Sequence, residues 1–190
     1  MNRRSFLVWV NGVLGGIVGL LVGVPLLGPL LDPLIRKQGS GERPRVDVGP
    51  VDQFQPGTVT QTMLVTSKMD GPIQMPPRPE LGVFVVRDTA KNLEVDSEGR
   101  SPNLKVLSRE CPHLGCNVDY DKTQGFVCPC HNSRFTTDFA KAGSKQRMTS
   151  GGTNPSPRRM DTLEARVVDG RLVVEVVHFR PGRPQPEPRS

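Results

Sequence analysis

Four cysteines and two of the three histidines in the 190-residue chain fall between Cys111 and His131. They form two boxes, Cys111-Pro112-His113-Leu114-Gly115-Cys116 and Cys128-Pro129-Cys130-His131. Thiols and imidazoles gathered this closely support three kinds of chemistry. A pair of disulfides suits an exported chain with an even cysteine count, but leaves both histidines without a role. A structural zinc ion accepts Cys and His, yet its tetrahedron holds four ligands, so two of the six side chains would be left over. A two-iron, two-sulfide centre takes one Cys and one His from each box, two residues apart in the first and three apart in the second. The remaining Cys of each box is then free to bridge the two loops.

The paired boxes resemble those of the Rieske iron–sulfur proteins, in which two histidines replace two cysteines on one iron. The pattern C-x-H-x-G-C followed by C-x-C-H-x-S is met by Cys111, His113, Gly115, Cys116, Cys128, Cys130, His131 and Ser133. The resemblance implies one [2Fe–2S] cluster, with Cys111 and Cys128 on one iron, His113 and His131 on the other, and a Cys116–Cys130 disulfide linking the loops. It further implies that His113 and His131 are the catalytic, quinol-facing ligands. Leu114 becomes an exposed apolar neighbour for quinol docking, and Ser133 a hydroxyl donor to a cluster sulfide. Gly151 to Arg159 resembles the proline-containing loop that covers the cluster, which brings Pro155 into the site with Gly115 and Phe135. Neutral imidazoles in place of thiolates reduce the negative charge around the iron and raise its potential.

Two positions depart from the respiratory pattern. Asn132 stands where Gly is usual, and Asn tolerates left-handed backbone better than most residues. Phe135 stands where the family has a Tyr that hydrogen-bonds a ligand sulfur. Without that donor the reduced form is less stabilised, so the expected potential is lower and suited to menaquinol rather than ubiquinol.

The elements around the boxes read as β. Thr58 to Thr66, Gly82 to Arg87, Leu104 to Leu107 and Gly125 to Cys128 are short runs rich in Val, Thr and Phe, bounded by turn residues. Leu163 to Val168 and Arg171 to Val177 flank Asp169-Gly170, a strong hairpin signal. No later stretch carries a helical period. The proline-rich segments, Pro72 to Pro79 and Pro181 to Ser190, predict a surface loop and an extended tail. Thr136 to Ser150 reads as a solvated insertion, and His178 as structural. The expected fold is mainly β, a Rieske-type antiparallel β-sandwich with a cluster-binding subdomain at one tip, preceded by one N-terminal transmembrane helix.

Phe6 to Leu31 holds no charged residue. As a helix it reaches about 39 Å at ~1.5 Å per residue, more than the ~30 Å hydrocarbon core, so a retained anchor is favoured over a cleaved signal peptide. Pro25 and Pro29 are expected to kink or end it. Asn2-Arg3-Arg4-Ser5-Phe6-Leu7 resembles a twin-arginine export signal. The expected organisation is a signal and anchor at 1–35, a flexible hinge at 36–45, a Rieske domain at 46–180 with its cluster-binding part at 105–160, and a tail at 181–190. The net charge of +6 is scattered, without an aromatic-interleaved patch, which favours a membrane surface or an acidic cytochrome over nucleic acid.

Together these readings describe an oxidoreductase component, the Rieske electron-transfer subunit of a bc-type complex. It would sit in the cell membrane with its head on the extracytoplasmic face, beside a cytochrome b-type subunit, taking electrons from quinol and passing them to a c-type cytochrome. The small subunit of an arsenite oxidase is the alternative within redox chemistry, because Ser133-Arg134-Phe135 also suits that family. A disulfide- or zinc-stapled binding module without redox activity is the alternative outside it.

Overall fold

A computed structural model describes residues 2–35, 43–67, 69–70, 73–89, 92–146 and 152–189. The chain divides into two units, Met1–Glu42 and Arg43–Ser190. In the first, the apolar run folds as helix α1, Arg3–Ile35. Its segment Arg3–Pro25 is long and apolar enough to cross a membrane. Pro25 and Pro29 do not end the helix, which continues through both and through Pro33. These prolines recur every four residues, so the missing N–H donors fall on one side and the other side keeps its ladder. The hinge expected at 36–45 lies outside the described residues over 36–42, and Arg45 already belongs to the first strand.

The second unit contains twelve strands among its described residues: β1 Arg45–Pro50, β2 Val59–Thr66, β3 Met69–Asp70, β4 Ile73–Gln74, β5 Arg78–Arg87, β6 Leu104–Ser108, β7 Asp119–Asp121, β8 Gly125–Val127, β9 Arg134–Phe135, β10 Thr162–Leu163, β11 Ala165–Val168 and β12 Arg171–Glu175. They pair antiparallel in the orders β1-β12-β11, β10-β6-β5-β2, β3-β4 and β7-β8-β9. Asp169 and Gly170 turn the β11–β12 hairpin with φ of +49° and +72°, the left-handed pair that a two-residue turn requires.

β5 explains how the layers stack. Leu81 to Arg87 is buried without interruption, the mark of a strand covered on both faces. Val83 and Val85 point into one core with Leu64, Val106, Leu172 and Val174, closing the four-stranded sheet on the β1-β12-β11 sheet. Phe84 and Val86 point the other way, into a second core with Leu107, Val118, Phe126, Phe135 and Met160. That second core carries the β7-β8-β9 sheet and both Cys/His boxes. The cluster-binding part thus packs on the face of the four-stranded sheet opposite the β1-β12-β11 sheet.

Two expectations about proline are corrected. Arg78 and Pro79 are strand residues, paired with Thr66 and Val65 of β2 across a bulge at Leu64/Val65. Pro is tolerated there because β6 pairs β5 only from Val83 onward, so Pro79 has a strand neighbour on one side alone. The C-terminal segment is folded back rather than extended: Phe179 bridges Pro188, and the Arg180 N–H donates to the Glu187 carbonyl at 2.8 Å.

Candidate metal-cluster site

The two boxes fold as the same tight loop. In the first, the Cys111 N–H donates to the Cys116 carbonyl at 2.7 Å and the Gly115 N–H to the Cys111 carbonyl at 2.9 Å. In the second, the Cys128 N–H donates to the Ser133 carbonyl at 2.8 Å and the Asn132 N–H to the Cys128 carbonyl at 2.9 Å. The fourth residue after the leading cysteine is left-handed in both, Gly115 at φ +82° and Asn132 at φ +57°. Asn replaces Gly in the second loop at little cost, because its short polar side chain suits that conformation.

The loops are carried by strands. Ser108 ends β6 just before the first box, and β8 ends at Val127, immediately before Cys128. Arg109 fastens the first loop's exit, donating from Nε to the Val118 carbonyl at 3.0 Å and pairing with Asp119 at 3.1 Å. Its guanidinium lies over the Phe84 ring. A Cys116–Cys130 disulfide joins the loops. Cys111 and Cys128 remain free thiols, both buried. His113 and His131 meet edge to face, their ring centroids 4.7 Å apart.

The sulfurs of Cys116, Cys128 and Cys130 lie within 4.8 Å of one another. Two of these are spent in the disulfide, so Cys111 and Cys128 are the thiols able to bind metal. Burial pushes the Cys111 thiol up to about 11, and the adjacent Cys128 adds to the rise, while the His113 N–H opposes it. A buried thiol raised in this way keeps its proton unless a cation joins it, and a metal supplies that charge. The His113 Nδ1 and the Ser133 hydroxyl are buried without hydrogen-bond partners. An imidazole nitrogen open to a metal and a hydroxyl open to a sulfide fit an iron–sulfur cluster, and a purely disulfide-stapled loop explains neither.

The other expected residues are distributed as follows. Leu114 is 60% exposed, an apolar side chain held out between the histidine-bearing loop and solvent. Phe135 is fully buried in the second core with Cys111 and Cys128, and pairs with Phe126. Pro155 is half-buried between buried Asn154 and Ser156. Asn154 ties this loop to the second box by donating to the Arg134 carbonyl at 2.6 Å. Part of the expected insertion folds: Asp138 caps the short 3-10 turn Phe139–Lys141, and Lys145 reaches the Ser156 carbonyl at 2.9 Å. Residues 147–150 and Gly151 lie outside the described residues.

Sequence reasoning passed over three contributors. Glu110, just before Cys111, pairs with His178 Nδ1 at 3.1 Å. Buried Arg158 pairs with Asp161 at 2.7 Å. The Gly182 N–H donates to the Pro112 carbonyl at 2.8 Å. Only the Arg158-x-x-Asp161 spacing was a usable signal, and it reads equally as a surface pair.

A β-sandwich whose outer face bears two matched Cys/His loops defines a class of metal-cluster protein. The chain belongs to the Rieske [2Fe–2S] domain family, which residues 45–150 match. A Rieske domain holds a [2Fe–2S] cluster, and the donor set here fits it. The chain is 31% identical over 75 residues to the cytochrome b6-f complex iron-sulfur subunit of Chlorobaculum tepidum, covering 39% of this chain and 36% of that one. It is 33% identical over 78 residues to the menaquinol:cytochrome c reductase iron-sulfur subunit of Geobacillus thermodenitrificans, covering 37% and 38%. The matches therefore span less than two-fifths of these relatives' lengths. Among solved structures it is similar to a cyanobacterial plasma membrane Rieske protein from Synechocystis, at 22% identity and a TM-score of 0.38, covering 69% of this chain and 99% of that one. A quaternary ammonium Rieske monooxygenase is matched at 14% identity and a TM-score of 0.44, covering 73% and 34%.

Proposed function

We propose that the chain is the electron-transfer subunit of a membrane quinol–cytochrome c oxidoreductase of the bc type, oxidising menaquinol and passing the electron to a c-type cytochrome. The observation that carries this reading is the juxtaposition of two buried thiols, two adjoining imidazoles and one exposed apolar side chain on matched loops. The names of the relatives and the apolar helix α1 support it.

In this reading Cys111 and Cys128 hold one iron, and His113 and His131 hold the other. The cluster, when bound, accepts a single electron. The chain does the rest. The buried Nδ1 of His113 has no hydrogen-bond partner and would be its iron ligand, which would leave Nε2 as the nitrogen that accepts the hydrogen of a quinol hydroxyl. Leu114 covers an apolar quinol ring at the same edge and excludes water from the hydrogen bond. The disulfide keeps the two histidine-bearing loops from parting. The soluble unit stands on the extracytoplasmic face beside a cytochrome b-type subunit.

Membranes containing the full-length chain provide the test. Reduced wild type should give the rhombic, low-average-g paramagnetic signal of a Rieske centre, and menaquinol should reduce the c-type cytochrome. His113→Ala should abolish both. A wild-type chain that binds zinc and gives no such signal would overturn the reading.

A further inference from the structure

The first cluster loop is gripped from outside by a segment distant in sequence. His178 pairs through Nδ1 with Glu110, one residue before Cys111, at 3.1 Å. The Gly182 N–H donates to the Pro112 carbonyl, one residue after Cys111, at 2.8 Å. Pro181 and Arg189 lie beside Gly115, each within about 4 Å of where a side chain there would begin. The segment thus touches the loop before, inside and near the end of the Cys111–Cys116 box.

This gripping segment is itself a closed turn. The Arg180 N–H donates to the Glu187 carbonyl and the Arg189 N–H to the His178 carbonyl, each at 2.8 Å. Gly182 sits at φ +72°, left-handed, as the turn toward Pro112 requires. One buried side chain fastens it to the rest of the head. Arg158, 6% exposed, donates from Nη1 to the carbonyls of Arg180 at 3.1 Å and Arg183 at 2.7 Å. Its other nitrogens hold both oxygens of Asp161, at 2.8 Å and 2.7 Å. A planar guanidinium can serve two carbonyls and a carboxylate at once, and a lysine ammonium on this stem cannot.

We propose that the C-terminal turn His178–Arg189 is a clamp that holds the first loop in its cluster-bearing shape, and that Arg158 is the positioning residue that locks it. The proposal rests on the reading of Cys111 and His113 as ligands. The clamp acts on the backbone on either side of Cys111, so it fixes where the thiolate and the His113 ring point. Arg158 touches neither cluster nor substrate.

Three variants of the full-length chain in detergent test it: Arg158→Lys, the charge-neutral pair Arg158→Gln with Asp161→Asn, and a chain ended after Arg180. The paired variant removes both charges together, so no uncompensated charge is buried. Circular dichroism reports the sheets, a chelator reports iron release, and redox titration with electron paramagnetic resonance reports ligand geometry. Outer partners of metal ligands typically change metal affinity by roughly 10–100-fold. The clamp predicts β-sheet content like wild type, iron release faster by about that factor, and a shifted potential in all three variants. Arg158→Lys should resemble the paired variant, although it keeps the charge opposite Asp161. Wild-type release rates and potential in the three variants would overturn the clamp, as would loss of sheet structure along with the cluster in every one. A wild-type chain lacking the Rieske signal would instead overturn the ligand reading beneath it.

Discussion

Phe135 is the residue at which chemistry and packing are hardest to separate. It is wholly buried, shares a core with Cys111 and Cys128, and lies across from Phe126 in the β8–β9 pair. A packed aromatic ring would look the same whether or not its lack of a hydroxyl tunes the cluster. Phe135→Tyr distinguishes the two, because it adds one donor and little volume. Donation to a ligand sulfur stabilises the extra electron, so the variant's reduction potential should rise in a redox titration. An unchanged or lower value would leave Phe135 a packing residue, and would remove the ground for preferring menaquinol. Ser133 is the natural comparison, since its buried hydroxyl already lacks a protein partner and is free to serve a sulfide.

At the scale of elements, the matched loops divide labour with the disulfide. Each loop is closed by its own pair of backbone hydrogen bonds, so its local shape does not depend on the other. The Cys116–Cys130 link, across 14 residues, fixes where the two loops stand relative to each other. Cross-linking a loop of that size contributes about 3 kcal/mol by restricting the unfolded chain. Replacing both cysteines by serine should therefore lower stability by about that amount in guanidinium unfolding and speed iron release to a chelator, while each loop persists. Equal stability and equal release would mean that the strands alone align the loops. The same division explains how much of the site was legible in the sequence. The ligand-type residues of each box lie within a few positions of one another, so the boxes, the left-handed Asn132 and the Asp169-Gly170 hairpin could be read locally. Strands with apolar runs, such as Val59–Thr66 and Leu104–Ser108, were legible for the same reason. β7 and β9 were not: strands of two and three residues carry no period, and where the equally short β8 has Phe126-Val127 beside a turn glycine, Asp119-Tyr120-Asp121 and Arg134-Phe135 offer no apolar pair. Pro79 misled because its tolerance depends on which neighbour β5 has at that point, a property of the sheet and not of the run. The C-terminal turn misled most: its four prolines suggested a tail, and what orders it is Arg158, 20 residues or more away in sequence.

For the whole molecule, the redox state of the cysteines bears on the export proposed for the head. Cys116 and Cys130 are oxidised to a disulfide, while Cys111 and Cys128 are free thiols. Reducing compartments disfavour the first, and iron ligation needs the second. Export of a folded head resolves the conflict if the cluster captures Cys111 and Cys128 before translocation and the disulfide closes afterwards. Arg3-Arg4-Ser5-Phe6-Leu7, ahead of the uncharged part of α1, has the residues for that route. Changing Arg3 and Arg4 together to Lys keeps the positive charge that any membrane helix prefers on the inner side, but removes the paired guanidinia. The variant head should then be protected from protease added to spheroplasts, carry a loaded cluster, and label with maleimide at Cys116 and Cys130. Wild type should be cut, and should label at neither. A variant that is cut from outside and already holds its disulfide would show that the two arginines act only as positive charge, and that the head reaches the outer face by a route indifferent to them.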